Sequence, residues 1–141
     1  MKPLLTTLAA MLGMVACISP ERAFVVDTHL FDPENGAIVA VENHDTLARG
    51  ELKIFLRTND ELQSDSLTLR IETFTPDSLH TSEYHRLILP KGDRVNPLRT
   101  LKEIPYRRGV RLREAGTYYF TLTPTRPIKG IEAVGILYQT E

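Results

Sequence analysis

Histidine is the residue type in this chain best suited to bind a metal ion, and its spacing predicts no metal site. Two imidazoles share one metal most readily when one or three residues separate them. The chain has four histidines, and no pair has this spacing: His29, His44, His80 and His85. His80 and His85 would lie on opposite faces of a regular strand, since side chains alternate along it. We therefore expect neither a metal ion nor another cofactor.

The acidic and hydroxyl residues also lack the surroundings that catalysis needs. Asp60, Glu61 and Asp65 do not fit the glycine and ligand pattern of a calcium-binding loop. No serine lies in a GxSxG motif and no glycine-rich loop follows a predicted strand, so the motifs of serine hydrolases and nucleotide-binding proteins are both missing. We predict that the protein is not an enzyme. A hydrolase with an unrecognised site is the alternative.

Basic residues form the most concentrated chemical feature of the sequence. Between residues 86 and 113, nine cations stand against only Asp93 and Glu103. The cations are Arg86, Lys91, Arg94, Arg99, Lys102, Arg107, Arg108, Arg111 and Arg113. The run is either a solvated sheet face or a docking patch for an acidic partner, a lipid headgroup or an anionic glycan, which arginine can bind with two parallel hydrogen bonds. The predicted docking residues are Arg107, Arg108, Arg111 and Arg113, with Arg126 and Lys129 from a later loop.

The overall charge limits the kinds of partner. The chain has a formal net charge of −1 and a pI near 6.4, which gives no general attraction to nucleic acid or to anionic lipid. We expect no nucleic-acid partner and no small-molecule substrate, and any partner has to be recognised by a local surface.

These side chains must be positioned by strands, because alternating apolar residues recur along the chain and no segment has sustained helical periodicity. We predict eight strands, at residues 23–29, 37–41, 50–57, 66–73, 80–89, 103–112, 116–123 and 131–138. Turn residues separate them at regular intervals. The pattern predicts one all-β domain, an antiparallel β-sandwich that is immunoglobulin-like or jelly-roll-like, with the strand order left open.

The C-terminal residues 116–139 have the clearest pattern. Tyr118, Phe120 and Leu122 alternate with polar residues and are predicted to face the core. Two prolines end this strand, because proline cannot donate to a sheet ladder. The segment IEAVGILY that follows is apolar on both faces, which predicts a central strand. We interpret the two strands as a hairpin.

Three aromatic residues are candidates for ligand contact: Phe55, Tyr119 and Tyr138. A glycan would need exposed rings on a shared concave surface. The alternative is that these rings pack against neighbouring strands. Burial under the second sheet, or a flat exposed patch, would favour contact with a protein.

The N-terminus predicts export. Lys2 supplies a positive charge, and residues 4–15 are apolar but shorter than the roughly 20 residues that span a bilayer, as in a secretory signal. The chain's one cysteine, Cys17, follows Met-Val-Ala, which resembles the lipobox of bacterial lipoproteins, with Met14 where leucine is commoner. We predict a signal peptide at 1–16, a lipidated tether at 17–22 and the sandwich domain at 23–141. The alternative is that Cys17 is removed with the signal.

Residues 104–136, following this lipobox and the segments FLRTNDEL and LTLRIE, resemble the GldH family of gliding-motility lipoproteins of Bacteroidota. The matching residues are Tyr106, Val110, Gly116, Thr117, Tyr118, Phe120, Arg126, Lys129, Gly130, Ile131, Val134, Gly135 and Ile136. The chain departs from the family in having no tryptophan.

The resemblance implies a non-catalytic lipoprotein of the cell envelope, in the context of gliding or type IX secretion. It also implies other envelope proteins as partners and no cofactor. An acidic run after the cysteine is associated with surface export in lipoproteins of this kind, and the tether ISPER has none. We therefore expect the protein to be anchored through Cys17 in the inner or outer membrane, facing the periplasm rather than the cell surface.

Overall fold

The computed structural model describes residues 21–89 and 100–140. Its eight strands are β1 (Glu21–Asp27), β2 (Ala37–Asn43), β3 (Arg49–Thr58), β4 (Ser66–Phe74), β5 (His80–Ile88), β6 (Thr100–Arg111), β7 (Gly116–Pro124) and β8 (Ile131–Thr140). All eight predicted strands are confirmed. The predicted signal peptide and Cys17 lie outside the described residues, and β1 begins within the residues predicted as the tether. In the described ranges, no helix is long and apolar enough to cross a membrane.

The strands form two antiparallel four-stranded sheets that pack together as a β-sandwich, as predicted. The first sheet has the order β1-β8-β3-β6 and the second has the order β2-β7-β4-β5. Every connection except the β4–β5 turn passes from one sheet to the other. This interleaved order of eight strands is that of a jelly roll, which decides between the two predicted forms of sandwich.

The predicted C-terminal hairpin is wrong, because β7 and β8 lie in different sheets. Each is a central strand with neighbours on both sides, which leaves no edge at which they could pair. The loop at residues 125–130 spans the distance of about 10 Å between packed sheets. Ile128 anchors this loop through a buried side chain and a bridge to Phe31. The alternating pattern identified the core face of β7, and it carried no information about the strand's partners.

The predicted core faces are confirmed. The inward residues of three strands are all buried: Leu52, Ile54 and Leu56 in β3, Leu67, Leu69 and Ile71 in β4, and Tyr118, Phe120 and Leu122 in β7. The central position of β8 is also confirmed, since β8 pairs with β1 and with β3. A Cβ atom at Gly135 would lie 2.4 Å from the backbone oxygen of Phe24, so only glycine allows β1 to approach so closely.

The turn at residues 32–36 forms without the positive φ that Asn-Gly sequences often adopt in turns. Neither residue has a positive φ. Instead, the carboxylate of Asp32 accepts hydrogen bonds from the backbone N–H groups of Glu34 and Asn35, which is the geometry of an Asx turn. Gly36 is needed for space, because a Cβ there would lie 2.5 Å from Oγ1 of Thr123.

Candidate functional site

The predicted docking cations lie at opposite ends of the sandwich. We call the end where β6 finishes and β7 begins the first end, and the end where β7 finishes and β8 begins the second end. The first group lies along β6 and the residues after it, toward the first end: Arg107, Arg108, Arg111 and Arg113. Arg126 and Lys129 lie in the β7–β8 loop at the second end. Nine residues of β7 separate the two groups by roughly 30 Å, so they do not form one docking patch.

Several of these cations have structural partners. Arg107 donates to Glu83 at 2.5 Å, and Arg108 lies 3.5 Å from the carboxylate of Glu51. Arg111 donates to the backbone oxygen of Thr46 at 2.8 Å. At the second end, the guanidinium of Arg126 donates to the backbone oxygen of Ser66 at 3.3 Å.

The remaining members of the basic run are scattered. Lys91, Arg94 and Arg99 fall outside the described residues. Arg86 is exposed on β5, whereas Lys102 is buried on β6, where desolvation lowers the pKa of its ammonium group. The run is therefore not one continuous solvated face.

Two β-bulges in β6 aim polar side chains toward the second sheet. Along β3, Lys53 pairs with Pro105 while the preceding residue, Leu52, pairs with Arg107, so Tyr106 is an extra residue in β6. A second bulge follows, in which Gly109 has a φ of 62°. Bulges of this kind bend an edge strand and redirect its side chains. Tyr106 and Arg107 consequently both reach Glu83 on β5, the facing edge strand of the other sheet.

Glu83, Tyr106 and Arg107 form a compact polar cluster between the two sheets. The Tyr106 hydroxyl donates to one carboxylate oxygen of Glu83 and Arg107 donates to the other. The hydrogen bond from Tyr106 lowers the pKa of Glu83, and the nearby Arg107 guanidinium acts in the same direction. Burial raises the pKa of Tyr106 to about 12, with a further contribution from Glu83. The ring of His85 contacts Tyr106 edge-on, with centroids 5.2 Å apart.

A second candidate site is the outward side of the second sheet, which carries large apolar side chains that remain in solvent. We call these residues the exposed face: Ile38, Phe74, Tyr84, Ile88 and Tyr119. Ile38 is 62% exposed, Tyr84 68%, Ile88 65% and Tyr119 47%. Register places Tyr119 beside Phe74, and a shallow depression of about 700 Å³ runs between them and Ile38. Phe74, Tyr119 and Ile38 form an exposed apolar patch of the kind that is typical of an interaction site, whereas Tyr84 and Ile88 lie farther along β5.

Charged groups on the exposed face are paired within the sheet. Glu72 lies 3.6 Å from the guanidinium of Arg70 and 3.4 Å from the imidazole of His80. The rings of Phe74 and His80 stack against each other, 4.3 Å apart and nearly parallel. Each of these two rings therefore has one π surface covered by the other. What the face offers to a partner is mainly apolar surface.

The three predicted ligand-contact residues do not share a surface. Phe55 is half-buried on the outward side of the first sheet, and Tyr119 is exposed on the outward side of the second. Tyr138 is 4% exposed at the first end, and its hydroxyl has no hydrogen-bond partner in the described part of the chain. They do not line one concave site, and only Tyr119 belongs to a flat exposed patch.

Sequence reasoning missed most of the exposed face and the cluster around Glu83. Four residues at outward positions of their strands are apolar: Ile38, Phe74, Tyr84 and Ile88. An apolar residue at an outward position is a signal of exposed apolar surface that the sequence already contains. The Glu83 cluster depends on the bulges and on strand order, for which the sequence has no comparable signal. Across residues 21–89 and 100–140, no group of three or more His, Cys, Asp or Glu side chains could hold a metal ion.

Comparison of the chain with protein-family models, with curated proteins and with solved structures gives no match.

Proposed function

We propose that this protein is a non-catalytic, lipid-anchored component of a bacterial cell-envelope assembly, and that it docks a partner protein through the exposed face. The lipobox-like residues before Cys17 support the anchor, and the resemblance of residues 104–136 to gliding-motility lipoproteins supports the envelope context. The observation that carries the docking role is the solvent-exposed pair of Phe74 and Tyr119 on adjacent strands of the second sheet, with Ile38 exposed diagonally to Tyr119 on the next strand.

An apolar protein surface fits the exposed face better than a charged partner does. Glu72 is engaged by Arg70 and His80 within the sheet, so the charged groups beside Phe74 already have partners. The fully buried centre of a protein interface is likewise depleted in charge and enriched in aromatic residues. Tyr84 and Tyr119 are amphipathic anchors of the kind found there.

Glycan binding through the same face is the second candidate, because aromatic rings on a flat sheet can stack on sugars. Tyr119 is the ring best placed for this. Phe74 and His80 each use one π surface to stack on the other, which reduces the aromatic surface available to a sugar. This arrangement favours the protein partner.

The docking role can be tested by chemical crosslinking in membranes followed by capture of the protein. We expect one discrete crosslinked protein with the wild type and its loss in an Ile38→Lys, Tyr119→Lys variant. Leu101→Lys is the matched control, since Leu101 is similarly exposed on the first sheet. A glycan partner would leave no protein band in any variant. Loss of the band in an Arg107→Glu, Arg108→Glu, Arg111→Glu variant alone would move the docking surface to β6.

The anchor is tested separately with Cys17→Ala. Acylation needs the thiol, and three acyl chains bind a membrane far more strongly than one. We expect the variant in the soluble fraction or retained as an uncleaved precursor. Wild-type-like extraction with the membrane would contradict lipidation at Cys17.

A further inference from the structure

Among the four edge strands of the sandwich, β5 is the one that is open to pairing with another strand. β1 and β6 are the edges of the first sheet, and β2 and β5 are the edges of the second. β1 and β2 contact each other, and the guanidinium of Arg22 on β1 donates to the backbone oxygen of Glu42 on β2 at 3.3 Å. β6 has two bulges and contains Pro105, which are features that keep an edge strand from pairing. β5 has neither feature, since all nine of its residues pair with β4 in unbroken register.

The free backbone groups of β5 belong to alternate residues. In an antiparallel ladder, residues that exchange hydrogen bonds with the neighbouring strand alternate with residues that do not. At the two ends of this ladder, Leu89 donates to Asp65 and Leu79 accepts from Thr75. The register between these ends is constant, so the odd-numbered residues of β5 are the ones bonded to β4. The even-numbered residues direct their N–H and C=O groups away from the sheet, and the central three have no backbone partner within the described residues: Ser82, Tyr84 and Arg86.

The same even-numbered residues place apolar side chains in solvent at this edge. Tyr84 and Ile88 are both about two-thirds exposed, at 68% and 65%. They lie farther along β5 than the patch of Phe74, Tyr119 and Ile38 that carries the docking role. A long, unbulged edge strand with exposed apolar side chains is a template for a further strand.

We propose that β5 pairs antiparallel with β5 of a second copy of this chain, across a two-fold axis at Tyr84. Tyr84 is the central residue of β5, so this axis pairs the strand over its whole length. It also brings together the free backbone groups, because Tyr84 meets Tyr84 of the second copy and Ser82 meets Arg86. The two four-stranded second sheets then form one sheet of eight strands.

The charges of β5 are complementary to those of a second copy. A two-fold interface requires that a surface be complementary to itself. Across the axis at Tyr84, Glu83 lies opposite His85 and Arg86 lies opposite Ser82, so no charged residue faces another of its own sign. An axis at Arg86 would instead place two guanidinium groups opposite each other, which destabilises a sheet. The tyrosine pair at the axis is an aromatic cross-strand pair of the kind that stabilises a sheet.

Thiol crosslinking of the full chain in membranes tests this pairing, with Tyr84→Cys compared against Ile88→Cys. Both side chains are similarly exposed on the same side of β5. In the proposed dimer the two Cα atoms at position 84 lie about 5.5 Å apart, whereas those at position 88 are eight residues apart along the strand, or roughly 27 Å. With a short bifunctional thiol reagent, we expect a covalent dimer of twice the chain's mass from Tyr84→Cys. We expect no more product from Ile88→Cys than from the wild type, whose one cysteine is Cys17.

Three results would overturn the proposal. Absence of the dimer in Tyr84→Cys would refute the pairing, and equal yields from positions 84 and 88 would refute the axis. A product of another mass at position 84 would assign the edge to a strand of a different protein.

A proline variant tests whether the backbone edge makes the contact. Ser82→Pro removes an N–H group that points away from β4, so the fold tolerates it, and it should abolish the dimer formed by Tyr84→Cys. Ser82→Ala is the matched control and should retain the dimer. An undiminished dimer in Ser82→Pro would contradict strand pairing.

The dimer and the docking function can fail separately, because the dimer uses the edge of the second sheet and docking uses its outward side. Ser82→Pro should still crosslink to the partner protein, which also shows that this variant folds. Tyr84→Cys combined with Ile38→Lys and Tyr119→Lys should lose the partner and keep the dimer. Loss of the dimer together with the partner in this combined variant would contradict an independent interface.

Discussion

The outward sides of the two sheets follow the same alternating pattern and present different surfaces. In the first sheet, the central strand β8 places Ala133, Gly135 and Leu137 outward, and Ala133 and Leu137 are buried there. In the second sheet, the central strand β7 places Tyr119 outward between threonines, and the ring stays in solvent.

Long charged side chains cover the outward side of the first sheet by forming ion pairs across it. On the first sheet, Arg57 bridges from β3 to Asp27 on β1 at 3.0 Å, across the small residues of β8. Lys53 reaches Glu103 on β6 at 3.8 Å. Small residues on a central strand therefore allow long neighbouring side chains to lie across it and cover it. A large ring at the corresponding position of β7 stands above the sheet and leaves apolar surface for a partner.

The largest effect should come from the core beneath the exposed face. Phe120→Ala removes a buried ring from β7 and should lower the free energy of unfolding by about 3–5 kcal/mol. Thr121→Ala, on the outward side of the same strand, should change it by less than about 0.5 kcal/mol. Chemical denaturation of both variants measures the difference. Equal losses would contradict the assignment of the two sides of β7.

A smaller loss should follow from adding one methyl group to the covered side of the first sheet. Gly135→Ala places a Cβ 2.4 Å from the backbone oxygen of Phe24 and 2.9 Å from Cγ2 of Val25. β1 must shift to accommodate it, which should cost about 1–3 kcal/mol. Thermal unfolding measures the loss. A melting temperature equal to the wild type would show that β1 packs on β8 less closely than described.

High pH should weaken the link between the edges of the two sheets. The pKa of Tyr106 is raised from 10.0 to about 12 in the folded state, so the folded state holds this proton more tightly than the unfolded chain does. The stabilisation is complete below pH 10 and is lost between pH 10 and 12. In denaturation series over this interval, the wild type should lose about 1–2 kcal/mol more than Tyr106→Phe. Parallel losses in the two proteins would contradict a buried, hydrogen-bonded Tyr106.

Substitutions on the exposed face should have the smallest effect on stability. Tyr119→Ser removes a ring that is about half in solvent, so we expect a change of less than about 0.5 kcal/mol. Leu137→Ser, on the covered side of the first sheet, should cost several times more, because it replaces a buried apolar side chain with a hydroxyl. Denaturation of the pair compares the two outward surfaces directly. A large loss in Tyr119→Ser would mean that the exposed face is needed for folding.

Period-2 patterning was enough to predict most strands and their core faces, and apolar residues on both faces were enough to predict the central position of β8, because each depends on which side chains a single strand buries. Strand partners depend on contacts between residues far apart in the chain. Residues 116–139 therefore suggested a hairpin, although the structure separates β7 from β8. Arg113 and Arg126 are close in sequence and lie near opposite ends of the sandwich, because the nine residues of β7 run between them.

The candidate sites were predictable only where residue type alone was informative. Tyr119 was identified as an outward aromatic residue, and its neighbours Phe74 and Ile38 come from strands that only the folded sheet brings together. The Glu83 cluster requires two bulges in β6 that shift Tyr106 and Arg107 into position. Arg107 was predicted as a docking cation, and the fold places it in the Glu83 cluster, where it donates to the carboxylate.

The docking role of the exposed face is tested most directly by site-specific photocrosslinking in membranes. Benzoylphenylalanine is placed either at Tyr119 on the second sheet or at Phe55 on the first, so that an aromatic residue is replaced by an aromatic probe in both cases. We predict one discrete protein adduct from position 119, lost when Ile38→Lys is added, and none from position 55. Equal adducts from both positions, or an adduct from position 55 alone, would contradict docking through the exposed face.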